Sequence, residues 1–302
     1  MNQYIIPQPL KAGDKAVIIS PSGSIDSLYV NKAQSVLEKW GLQVKIAPHA
    51  QNCTGRFCGT IEERLTDIQT AMDDYNNRMI FCSRGGCGAV HLLDKLNWKK
   101  IKQHPKWFVG YSDITALHQA FLKNKLASLH APMAKHLSEN STDKASMYLK
   151  KALFGEIPHY TVNAHPLNIK GTAEGILFGG NLAVFSSLLA SNYINVPQGG
   201  ILFIEDIGEQ AYQIDRMIWS LKLSGIFDQI KGIVVGSFTN CEEDPLMYSS
   251  IYESIKNIVK EYGIVASFGF PVGHSHENYP LLHGQKMKLH VSNTKVELSE
   301  SM

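Results

Sequence analysis

An α/β fold in two parts is predicted by three features of the chain. Short apolar runs alternate with amphipathic stretches through the first half. After about Leu153 the segment "FGEIPHYTVNAHPLNIKGTAEG" turns polar and rich in turn formers. The chain is also long enough, at 302 residues with 44% hydrophobic and 19% charged, to bury more than one core. Apolar strands that alternate with helices imply a parallel sheet covered on both faces. Residues 1–155 are therefore predicted to form a doubly wound, Rossmann-like α/β domain. Residues 170–302 are predicted to form a smaller α+β, barrel-like domain.

Each element follows from its local pattern. "KAVIIS" (Lys15–Ser20) is a strand ended by the turn Pro21–Ser24. Leu28–Trp40 is a helix with Val30, Ala33, Val36, Leu37 and Trp40 on one face, stopped at Gly41 before the strand Leu42–Ala47. Thr60–Asn76 is a second helix, because Thr60 and Glu63 have capping-box spacing. Then come the strand Arg78–Ser83, the turn "RGGCG", a helix near Ala89–Leu96 and the strand "WFVG". The second half offers "GILFGG", "GILFIED", "KGIVVGSF" and "IVASFGFPVGH" as β segments, with helices near Leu182–Ala190 and Tyr212–Ser224. Ligands of doubly wound sheets bind beyond the carboxyl ends of the strands, where Pro21–Ser24, Arg84–Gly88 and Tyr111–Asp113 are predicted to lie.

Composition narrows the function. A net charge of +2 without a long Lys/Arg tract argues against nucleic acid or an anionic membrane as the partner. The start "MNQYIIPQPLKAGDK" lacks a basic n-region and an apolar h-region, so a cytoplasmic location is expected. Cys53/Cys58 and Cys82/Cys87 have four residues between them, wider than the usual zinc pairs, and read as buried or incidental thiols. His274 and His276 lack a metal-binding companion motif, so no metal and no organic cofactor is expected.

"FVGYSDITAL" (Phe108–Leu117) sets a serine between a strand and a helix. Such a turn pushes a hydroxyl outward, and the helix N-terminus favours an oxyanion there. Gly110 matches G-x-S-x-G, but Ile114 stands at the second glycine. Taken alone, the segment is read more simply as a helix capped by Ser112 or Asp113. A nucleophile needs a base, and the base an orienting acid. Glu205 and Asp206 end an apolar strand, and His274 follows a strand and the turn Pro271–Gly273. The turn Ser83–Gly88 exposes backbone N–H groups able to hold an oxyanion, and it has neither P-loop nor dinucleotide spacing.

Together "GDKAVIISPSG", "RFCGTIEERLTDIQTA", "SRGGCG", "FVGYSDITALH", "GILFGGNL", "LFIEDIGEQAYQIDRM" and "FGFPVGH" resemble, in order along most of the chain, the LD-carboxypeptidase family of serine peptidases, which includes microcin C self-immunity peptidases. Cys87 departs from the family's usual aromatic residue in the R-G-G-Y-G turn. The resemblance implies a triad of Ser112 as nucleophile, His274 as base and Glu205 as orienting acid, with Glu209 in reserve. It implies an oxyanion hole of the Gly86 and Asp113 N–H groups. Arg84 and Gly85 would border the substrate, Arg84 serving either a substrate carboxylate or a structural pairing. The implied substrate is a cytoplasmic murein tetrapeptide that loses its terminal D-alanine in cell-wall recycling, and the implied assembly is a homodimer. The diamino acid before the D-alanine is left open.

Two alternatives stand beside this reading. One is an immunity-type peptidase acting on an aminoacyl-nucleotide antibiotic, which would need an aromatic platform for the base. The other is a non-catalytic, two-lobed small-molecule binding protein.

Overall fold

The computed structural model describes residues 4–156 and 158–301. Residues 1–3, 157 and 302, which include the start of the stretch read above for a leader, lie outside the described residues. The chain divides into two units, Met1–Glu156 with Tyr279–Leu282, and Ile157–Asn278 with His283–Met302.

The first unit opens with strand β1 (Lys15–Ile19), helix α1 (Ser27–Lys39), β2 (Gln43–Ile46), α2 (Ile61–Asp73) and β3 (Asn77–Cys82). It continues with α3 (Lys99–Gln103), β4 (Trp107–Gly110), α4 (Thr115–Lys123), β5 (Ser128–His130), α5 (Ala134–Asn140) and α6 (Lys144–Leu153). The ladders among β1–β5 are parallel, in the order β5-β4-β3-β1-β2, and the later strand Leu281–His283 borders β5. Winding thus reverses between β1 and β3, the switch point at which doubly wound sheets open a crevice. Ile18, Ile19, Phe81, Phe108 and Val109 are fully buried, as strands covered on both faces require.

Local chemistry sets the helix boundaries. In α2, Thr60 Oγ1 accepts from the Glu63 N–H at 3.2 Å and Glu63 Oε2 accepts from the Thr60 N–H at 2.8 Å. α1 buries Val30, Ala33 and Leu37, and leaves Val36 and Trp40 half-exposed. The helix expected near Ala89–Leu96 is only a 3₁₀ turn, Ala89–Leu92, entered from Gly88 in the left-handed region.

The second unit contains β6 (Tyr160–Asn163), β7 (Gly171–Asn181), α7 (Leu182–Ser187), β8 (Gly200–Ile207), α8 (Ala211–Leu223), β9 (Ile230–Thr239), α9 (Ile251–Glu261) and β10 (Val265–Ser267). Beyond β11 (Leu281–His283) lie β12 (Lys286–Val291) and β13 (Lys295–Glu300). The sheet order is β10-β9-β8-β7-β12-β13-β6. β7 to β10 run parallel and are joined by helices, while β12, β13 and β6 add antiparallel ladders. These ladders do not close into a barrel. Ile169, in the connection from β6 to β7, forms an isolated antiparallel bridge with Ala266 of β10. β10 is shorter than its apolar run because Gly269, Pro271 and Gly273 interrupt it.

Candidate active site

The loops after β1, β3 and β4 meet at the switch point of the first unit. The Gly23 N–H donates to Gly85 O at 3.0 Å. Asp113 is 7% exposed, and its Oδ2 accepts from the Ala89 N–H at 2.9 Å and from the Ser22 hydroxyl. One carboxylate therefore ties the serine turn to both neighbouring loops. The capping reading fails: the turn Ser112–Ile114 and the helix α4 start without a side-chain cap, because the Asp113 side chain is spent on the loops.

Ser112 has φ 65°, a left-handed backbone that side chains other than glycine seldom adopt. Gly85 packs against it. A Cβ on Gly85 would lie 2.7 Å from Ser112 Cβ and 2.8 Å from Ser112 Oγ, so only glycine lets this backbone approach the hydroxyl. Gly86, the next residue, is exposed. Arg84 is exposed too, and its Nη1 donates to Ser24 O at 2.7 Å, so the structural pairing weighed above exists.

Two supports escaped the sequence reading. Arg64 is buried and donates from Nη1 to Pro21 O at 3.0 Å and to Gly88 O at 2.9 Å, bracing both loops from below. Burial pulls its pKa down, and the nearby Asp113 charge opposes the shift. His118 is also buried. Its Nε2 donates to Gly110 O and its Nδ1 accepts from Ser128 Oγ, both at 2.8 Å. Burial lowers its pKa to about 4, so a neutral ring anchors α4 to the end of β4. The signal for Arg64 was a cation in an otherwise amphipathic helix. For His118 it was an imidazole inside the apolar run "ITALHQAFL".

In the second unit Glu205 lies in the buried end of β8 with no solvent exposure, and its Oε2 accepts from His274 Nδ1 at 2.7 Å. This contact assigns the proton to Nδ1 and the lone pair to Nε2. A Cβ on Gly273 would lie 2.7 Å from Glu205 Oε2, so glycine is needed where the two segments meet. Asn278 Oδ1 fixes the turn by accepting from the Gly273 N–H at 3.0 Å. Glu209 lies past the end of β8, beside Cys241. Asp206 accepts from Asn181 Nδ2 and the Ala183 N–H, each at 2.8 Å, and so holds the start of α7. Burial, with the adjacent Glu205 charge, raises its pKa to about 6.

The structure thus gathers Arg84, Gly85, Gly86, Ser112 and Asp113 in one unit and pairs Glu205 with His274 in the other. Cys53 and Cys87 are exposed while Cys58 and Cys82 are buried, so each pair is split between surface and core. Among the described residues no group of three or more His, Cys, Asp or Glu is placed to hold a metal.

A strained hydroxyl at a strand–helix turn and an imidazole held by a buried carboxylate are the equipment of acyl transfer to serine, the chemistry of serine hydrolases. The chain belongs to the LD-carboxypeptidase family: residues 17–131 match its N-terminal domain and residues 174–289 its C-terminal domain. It is a serine-type carboxypeptidase. In Bacillus subtilis (strain 168) the protein named "Probable murein peptide carboxypeptidase" is 34% identical over 292 residues, covering 95% of this chain and 92% of that one. The "Murein tetrapeptide carboxypeptidase" of Pseudomonas aeruginosa is 28% identical, covering 90% and 91%. The crystal structure of muramoyltetrapeptide carboxypeptidase from Oxalobacter formigenes superposes with a TM-score of 0.86 at 26% identity, covering 95% of this chain and 99% of that one. Microcin C7 self immunity protein in complex with aspartyl sulfamoyl adenosine shares the fold, with a TM-score of 0.86 at 21% identity, covering 98% and 99%.

Proposed function

We propose that the chain hydrolyses the amide that joins a C-terminal D-alanine to the preceding L-centre of a murein tetrapeptide. The observation that carries this reading is the 2.7 Å contact between His274 Nδ1 and the fully buried Glu205 carboxylate. It orients the ring and leaves Nε2 as a base, while Ser112 stands in its left-handed turn. The two carboxypeptidases of B. subtilis and P. aeruginosa support the choice of a murein peptide.

In the first step His274 Nε2 takes the Ser112 hydroxyl proton as Oγ attacks the scissile carbonyl carbon. The Gly86 and Asp113 N–H groups receive the oxyanion, each such donor being worth about 3 kcal/mol in serine hydrolases. The imidazolium then passes its proton to the amide nitrogen, the C–N bond breaks and D-alanine leaves. Water, deprotonated by His274, attacks the Ser112 ester and restores the hydroxyl. Arg84, with donors beyond the one given to Ser24, receives the substrate's terminal carboxylate, and Gly85 borders it with backbone alone. By the family resemblance the reaction belongs in the cytoplasm and to a homodimer. Among the described residues no helix is long and apolar enough to cross a membrane.

The test is incubation with murein tetrapeptide, pentapeptide and an aminoacyl-nucleotide conjugate, followed by mass spectrometry. Loss of one D-alanine from the tetrapeptide, abolished by Ser112→Ala and by His274→Ala, is the expected result. Cleavage of the conjugate alone would turn the assignment to the immunity-type reaction. Tetrapeptide binding without any cleavage would turn it to the two-lobed binding protein.

A further inference from the structure

Glu205 spends one carboxylate oxygen on His274 Nδ1. The other, Oε1, is buried without a hydrogen-bond partner among the described residues. Bulk solvent does not reach it, so an anionic oxygen left there alone would be costly. Buried polar atoms of this kind are satisfied by a neighbouring side chain or by an ordered water.

One donor close by has the matching need. Asn278 is 2% exposed, and its Nδ2 is likewise buried with no partner among the described residues. Its amide can face only one way, because the Gly273 N–H meets it at 3.0 Å and only the oxygen can accept there. Gly273 also brings the acid to the same spot: Glu205 Oε2 lies 2.7 Å from where a Cβ on Gly273 would stand. The amide and the carboxylate therefore flank one glycine, each with an atom to spare.

The other polar neighbours are turned elsewhere. The Ser237 hydroxyl, 2.7 Å from the same Cβ position, gives its one proton to Val272 O at 3.2 Å. Asn181 Nδ2 donates to Asp206 Oδ1 at 2.8 Å. Asp206, next to Glu205 in β8, is itself an acceptor and a like charge.

We infer that Asn278 is a positioning residue of the proton relay: its oxygen holds the Gly273 turn, and its NH2 supports Glu205 Oε1 through one bound water. The carboxylate is thereby kept charged and aimed at His274. The inference rests on the peptidase reading above and adds the group that stands behind the orienting acid.

The experiment follows kcat/KM for a murein tetrapeptide against pH. Beside it, NMR records the His274 Nδ1–H proton, the downfield line lost in His274→Ala. With the ring neutral, the His274–Glu205 pair bears a net negative charge, which a donor to Glu205 favours. Without that donor the ring holds its proton to higher pH. Asn278→Ala should therefore move the acid limb up by about one pH unit, cutting kcat/KM about tenfold there and far less on the plateau. The unsupported carboxylate pulls harder on the Nδ1–H, so the line should move further downfield. Asn278→Asp keeps an acceptor for the Gly273 turn should the alanine variant fail to fold. It sets a like charge in place of the donor, and its acid limb should move at least as far. A merely structural asparagine would lower kcat/KM by one factor at every pH and leave the line in place. Either readout unmoved overturns the inference while the peptidase reading stands. If the wild type cleaves no tetrapeptide, the peptidase reading fails, and the line alone decides whether Asn278 supports Glu205.

Discussion

Ser112 holds the serine turn in a conformation that costs about 1–2 kcal/mol for a residue with a side chain. Glycine would remove that strain and give back part of the gain through its larger unfolded-state entropy. Ser112→Gly is therefore expected to raise the calorimetric unfolding midpoint by about 1–4 °C while hydrolysis falls by at least ~10⁴-fold. A lowered midpoint would show that the turn is not strained. At Glu205 the expected effect is catalytic. Glu205→Gln removes the charge that steadies the imidazolium and can offer Nδ1 a donor in place of an acceptor, so kcat should fall about 10³–10⁴-fold with little change in KM. Ser112, Glu205 and His274 were all legible as candidates because each stands where an apolar run meets a turn. The Asp113 contacts were not legible, because they join it to Ser22 and Ala89 on separate loops, and sequence spacing carries no trace of such proximity.

The neutral ring of His118 fastens α4 to β4, and acid should loosen that joint first. Its folded pKa of about 4 lies below the ordinary 6.5, so the unfolded chain binds the extra proton between those values. Stability present at pH 7 is lost as pH falls from about 6.5 toward 4, by roughly 3 kcal/mol at most. Urea titrations of wild type and His118→Gln at several pH values should show a shallower acid decline in the variant, and parallel curves would refute the assignment. Elements with a strong local signal were readable, such as the capping box of α2 and the apolar cores of β1, β3, β4 and β8. α9 went unread although Ser250 and Glu253 carry the same capping pattern as Thr60 and Glu63. β12 and β13 pair with each other across a short turn and went unread because their alternation is half polar and their outer partners, β7 and β6, are distant in sequence.

Across the whole molecule Asp206 works against His118. Its folded pKa is raised to about 6 from 3.8, so the folded chain takes up a proton between those values and folding gains as pH drops through that window. Asp206→Asn deletes this gain. Its unfolding free energy, followed by urea titration from pH 7 to 4.5, should fall more steeply than that of the wild type. An equal slope would mean that the carboxyl titrates normally.

The strand Leu281–His283 borders β5, although nearly all of the second unit lies between them in sequence. A ribosome making this protein therefore releases β5 with one flank bare, and that flank stays open until Leu282 has emerged. A fragment ending at Glu156 would keep an unsatisfied row of backbone donors and acceptors, an invitation to self-association. The nucleophile's own sheet is therefore complete only once the chain has been made through Leu282.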